Sequence, residues 1–76
     1  MNPTHTIYGN AWTETARDTI NLDSGKIRVI VGLERPAKRG AKRVYAQVVQ
    51  TVGAESAQFF AIARNARKEW IPALSL

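Results

Sequence analysis

Ala54–Trp70, AESAQFFAIARNARKEW, is the stretch whose reading decides the fold. At about 100° per residue, Phe59, Ile62, Ala63, Ala66 and Trp70 fall on one stripe, the spacing of a core-facing helical surface. Gly53 stands where an N-cap would, Glu55 suits the positive end of a helix dipole, and Pro72 forbids continuation. The expectation is one helix running to Trp70 or thereabouts. Its opposite face sets Phe60 among Arg64, Arg67 and Lys68, a mixture that reads as a contact surface rather than plain solvated helix.

Upstream, the pattern is that of strands and turns. Thr4–Tyr8 is β-branched and aromatic and predicts an edge strand after Pro3, with Gly9-Asn10 as a turn. Ala11–Thr19 is threonine-rich and reads as irregular chain or strand. Asp23-Ser24-Gly25 predicts the turn of a hairpin between Thr19–Leu22 and the segment from Lys26. From Lys26 to Glu34, Ile27, Val29, Val31 and Leu33 alternate with Lys26, Arg28, Ile30, Gly32 and Glu34, the period of a strand with one buried face. Arg35–Lys42 breaks that pattern with proline, glycine and charge. Alternation resumes from Arg43 to Val52, with Val44, Ala46, Val48 and Val52 inward and Arg43, Tyr45, Gln47, Val49 and Thr51 outward. Ala73–Leu76 reads as a short extended segment. The prediction is an α+β fold, 1–76 as a single domain: a small antiparallel sheet of three or four strands with one C-terminal α-helix packed on one face.

Composition narrows the chemistry. With 76 residues and no cysteine, the chain makes a thin core without disulfides, so self-association or a partner surface is the expected supplement. His5 is the only histidine, which leaves neither a structural zinc set nor a serine triad, and no phosphate-cradling glycine motif is present. The expectation is a non-enzyme without cofactor or metal. No run of about 18 apolar residues occurs, and MNPTHTIYGN lacks the charged and apolar regions of an export signal. That predicts no membrane contact and a cytoplasmic location, and the chain from Met1 reads as a whole small protein.

The net charge of +5 is concentrated, with seven cations and only Glu34 between residues 25 and 53. Such a field attracts polyanions or acidic protein surfaces. The predicted contact residues are Arg28, Arg35, Lys38, Arg39, Lys42, Arg43, Tyr45 and Gln47 on the basic hairpin and open sheet face, with Phe60, Arg64 and Arg67 on the outer helix face. Cations interleaved with an aromatic and an amide suit phosphate neutralisation and base contact.

Two resemblances accompany these residues. The run GKIRVIV, KRVYAQVV and AESAQFFAIA is similar to the arm-binding domains of phage-type integrases, which implies a three-stranded sheet entering the major groove, backed by a helix, with Arg28, Ile30, Arg43, Tyr45 and Gln47 on the reading face. In format, a short cysteine-free chain without a catalytic constellation, the protein also resembles the small phage and mobile-element inhibitors of the anti-CRISPR type. That resemblance implies a partner in a host nucleic-acid-processing complex. The expected function is therefore an inhibitor docking on such a nucleoprotein complex or an acidic protein surface. A sheet-mediated module binding DNA or RNA, and a small subunit that forms a homo-oligomer, are the alternatives.

Overall fold

The computed structural model describes residues 2–37, 42–63 and 66–76. It is all-β: Thr4–Ile7 (β1), Asn10–Asn21 (β2), Ile27–Pro36 (β3), Arg43–Thr51 (β4), Ser56–Ala61 (β5) and Glu69–Pro72 (β6). Each strand pairs antiparallel with the next, so the sheet is a meander in the order β1-β2-β3-β4-β5-β6, curled into a half-barrel. The predicted α+β fold is thereby corrected. Residues 54–63 and 66–70 contain no helix, and the sheet has six strands rather than three or four.

The helical stripe fails residue by residue. Phe59 is buried, but Ile62 and Trp70 are 63% and 68% exposed, and Ala63 and Ala66 lie exposed between β5 and β6. Within β5 the operative period is two: Ala57 and Phe59 face inward, while Gln58 and Phe60 face outward. Apolar residues on both faces hide that alternation, and the alanine-rich composition supplies a helix propensity that strand pairing overrides. Gly53 is no N-cap. Its φ of 87° and the Ala54 N–H bond to the Thr51 carbonyl at 3.0 Å place it at the third position of a type II turn between β4 and β5. The first turn is also shifted by one residue from expectation: Tyr8 and Gly9 hold it, with φ of 51° and 76°, the double positive φ of a type I′ hairpin. Tyrosine is a poor residue for that conformation. Its ring is held edge-on against Phe59 at 6.0 Å, which offsets the backbone strain.

With no helix or second sheet among the described residues to cover it, the sheet buries its apolar face by rolling. Ile7, Trp12, Val29, Val31, Leu33, Ala46, Val48, Ala57, Phe59 and Ile71 form one core, and Val31, Leu33 and Val48 are fully enclosed. Three strand spacings, about 14 Å on a flat sheet, separate β2 from β5. Trp12 and Phe59 nevertheless meet with ring centroids 5.7 Å apart. Arg35 lies over the Trp12 ring at 4.9 Å, capping this end of the core. The radius of gyration of 12.9 Å, against about 11 Å for a compact chain of this length, reflects the open side.

A bulge in β2 builds a polar cluster into the inner face. The register steps from Glu14↔Leu33 to Ala16↔Gly32, leaving Thr15 as the extra residue. In a regular strand, Glu14 and Arg17 would point to opposite faces; the extra residue puts both inside. Arg17 donates to both Glu14 oxygens at 2.8 and 3.0 Å, and His5 Nε2 lies 3.0 Å from Glu14 Oε1. On β4, the Gln50 amide both donates to and accepts from the Leu74 backbone at 2.8 Å, holding the C-terminal segment against the sheet.

The Arg17 hydrogen bonds, aided by the contact with His5, hold the Glu14 carboxyl below its usual range against the opposing effect of burial. A folded-state value below the unfolded one contributes stability that is present above about pH 4.3 and is lost as pH falls through the folded value. Glu14→Gln should therefore be less stable at neutral pH, by about 1–3 kcal/mol. Its stability should also fall less than that of the wild type between about pH 5 and pH 2. Urea titrations across that range read both effects, and parallel acid limbs in the two proteins would refute the assignment.

Candidate nucleic-acid interface

The outer face follows from the same registers, because residues directly opposite across antiparallel strands share a face. Gly32, Gln47 and Phe60 form one row, and Ile30, Val49, Gln58 and Trp70 the next. Tyr45 lies one row further toward the β3–β4 connection, beside Glu34, and Arg28 one row the other way, beside Thr51. Of the six aromatic residues, Tyr8, Trp12 and Phe59 serve the inner cluster, while Tyr45, Phe60 and Trp70 stand outside.

These three form a diagonal. From Tyr45 on β4 to Phe60 on β5, and again from Phe60 to Trp70 on β6, each step is one strand across and two residues along. Each interval is thus about 7–8 Å. Tyr45 is 48% and Trp70 68% exposed, while Phe60 is half-buried between its neighbours. The diagonal runs into a depression of about 350 Å³ lined by Arg28, Val49, Thr51, Ala54, Ser56, Gln58 and Trp70. A second depression shares Arg28, Thr51 and Ala54 with it and continues to Lys26. An aromatic plate, an amide, two hydroxyls and two cations therefore follow one another along a single track.

The predicted contact residues divide into groups. Arg28, Arg43, Tyr45, Gln47 and Phe60 share the outer face. Arg28 is exposed and makes no ion pair among the described residues, whereas Arg43 donates to Glu34 Oε1 at 2.8 Å and is partly neutralised. Arg35 belongs to the inner face, over Trp12, and is removed from the outer set. Lys42 is exposed at the mouth of the β3–β4 connection, where its carbonyl accepts the Ala37 N–H at 3.0 Å. Arg67 is exposed between β5 and β6, not on a helix as expected. Lys38, Arg39 and Arg64 lie outside the described residues.

The meander also places the β3–β4 and β5–β6 connections at one end of the sheet, since Tyr45 near the start of β4 accepts the N–H of Ile62 just after β5. Lys42, Arg67 and Lys68 thus flank the Tyr45 end of the diagonal. Trp70, Gln58 and Lys26 were missed as site residues. The signal for Gln58 was its alternation with Phe60 against Ala57 and Phe59, concealed by the helical reading. Comparison with protein-family models, with curated protein sequences and with solved structures finds no match to this chain. No group of three or more metal-binding side chains occurs among the described residues, and no helix there is long and apolar enough to cross a membrane.

The two tryptophans provide a direct check. Trp12 is 4% exposed and Trp70 68%. Acrylamide should quench only part of the emission, and Trp70→Phe should abolish the quenchable component while leaving the protected one. A single fully quenchable population in the wild type would contradict this placement.

Proposed function

We propose that this protein binds single-stranded nucleic acid, without catalysis, on the outer face of its half-barrel. The observation that carries the reading is the even diagonal of Tyr45, Phe60 and Trp70 beside Arg28 and Lys26. Exposed aromatics stack on bases with little regard to sequence, and cations along the same groove track the phosphates. Gln47 and Gln58 stand between the aromatic positions with amides able to hydrogen-bond base edges. An exposed β-sheet surface suits unpaired strands better than a duplex, whose bases offer no free face to stack. The cations at the Tyr45 end extend the positive field beyond the aromatic track.

A second reading is supported by a 68% exposed tryptophan and Arg28, which makes no ion pair among the described residues, in one depression. Aromatic and arginine residues of this kind dominate protein interfaces. It is the inhibitor reading: the chain docks through this face on a host nucleoprotein complex in the cytoplasm, as proteins of the anti-CRISPR type do.

Titration with single-stranded oligonucleotides, followed by Trp70 emission, tests the first reading. Trp70→Ala should weaken binding by about 5- to 150-fold, the equivalent of about 1–3 kcal/mol for one stacked base. Arg28→Ala should lower the salt slope by about 0.7, the share of one neutralised phosphate on a single strand. No binding of any oligonucleotide at about 50 mM salt overturns it. Nuclease-resistant capture of a host complex that depends on Trp70 would then leave the second reading standing.

A further inference from the structure

The sheet has an open edge along the C-terminal half of its longest strand. β1 covers only Asn10–Thr13 of β2, with one further bond from the Glu14 N–H to the Pro3 carbonyl at 2.8 Å. From Thr15 to Asn21, β2 pairs with β3 on one side and with nothing on the other among the described residues, and every residue of that stretch is exposed. The other edges are blunted in the usual ways: β1 and β6 have four residues each, β1 is preceded by Pro3 and β6 ends in Pro72. Thr15–Asn21, TARDTIN, is a long, β-branched exception.

The hydrogen-bonding phase of this edge is fixed by the neighbouring turn. Leu22 N–H bonds to the Lys26 carbonyl at 2.8 Å, and the Ile27 carbonyl is taken by Val52 at 2.8 Å. Bonded and non-bonded pairs alternate along an antiparallel ladder, so Ile20 and Asp18 bond to β3. Arg17, Thr19 and Asn21 direct their N–H and C=O groups out of the sheet.

We infer that this edge pairs with the same edge of a second copy, antiparallel across a two-fold axis at Thr19. The choice of partner and register follows from self-complementarity. Centring the axis on Asp18 or Arg17 sets like charges directly opposite, which is destabilising. Moving it to Ile20 leaves Arg17 outside the ladder. Centred on Thr19, the pairs are Thr19 with Thr19, Arg17 with Asn21 and Asp18 with Ile20. All three outward-directed residues then bond, with about six inter-chain hydrogen bonds and no like-charge pair. An isologous contact of this kind closes on itself and leaves no growing edge. The two inner faces then run together, and each outer track remains free.

Single-cysteine variants test this cleanly in a chain that has no cysteine of its own. In the proposed register, Thr19→Cys places two thiols on a bonded pair about 5.5 Å apart at Cα, within reach of a disulfide. Asp18→Cys places them on a diagonal about 7–8 Å apart, where a disulfide needs the backbone to move. Under mild oxidation, Thr19→Cys should form disulfide dimer at least about tenfold faster than Asp18→Cys. The wild type should sediment as a dimer at about 100 μM chain, where a dissociation constant of about 1 mM would leave it monomeric. Thr19→Pro removes an N–H that bonds nothing within one copy, so it should yield a folded monomer. A monomeric wild type, or equal cross-linking at positions 18 and 19, overturns the inference. Should the proline variant fail to fold, the cross-linking ratio still decides. None of these outcomes depends on whether nucleic acid binds.

Discussion

The contact between Trp12 and Phe59 closes a sheet that has neither a helix nor a second sheet to pack against among the described residues. A single antiparallel sheet presents one apolar face, and without a covering helix or second sheet that face must be folded onto itself. Here β2 is brought over β5, so that Ile7, Trp12, Phe59 and Ile71 meet Val31, Leu33 and Val48 in one core. The remaining inner-face features follow from that closure. Arg35 seals one end by lying on the indole, and Tyr8 accepts a strained backbone in exchange for a place against Phe59.

Rolling the sheet also determines what is left outside. On a sheet backed by a helix, the free face would be one surface among several. On a half-barrel it is the whole exterior, and strand pairing imposes a fixed spacing on whatever it carries. The aromatic diagonal arises this way: three residues far apart in sequence come to equal intervals because β4, β5 and β6 are each stepped by the same two residues. The bulge at Thr15 acts similarly on the inner face, bringing Glu14 and Arg17 together with His5 in a mainly apolar lining.

Half of this architecture was legible in the residues. The alternation in Ile27–Leu33 and Val44–Val48 marks β3 and β4 without ambiguity, and the Asp23-Ser24-Gly25 turn lies between β2 and β3. Arg28, Tyr45 and Gln47 could be placed on a common face for that reason. The C-terminal third could not be read in the same way. Phe59 and Phe60 are adjacent and both apolar, so neither period stands out, and alanine with arginine favours a helix in isolation. That mistake carried Phe60 to the wrong element and assigned Trp70 to the core. Arg35 was misplaced for a different reason: a cation near a basic loop reads as solvent-facing, and its packing on Trp12 depends on a curl that no local pattern records.

The meander order has a kinetic side. Every strand pairs with its successor, so the hydrogen-bonded ladder is assembled from five consecutive pairings, each spanning a short stretch of chain. Local pairings of this sort carry little loop-closure entropy and form quickly. The contacts of Phe59 with Tyr8 and Trp12 are of another kind, spanning most of the chain and requiring the intervening strands to be in place. Ladder and closure therefore rest on contacts of different sequence range, and a sheet without the second would expose its apolar face to water and to other chains.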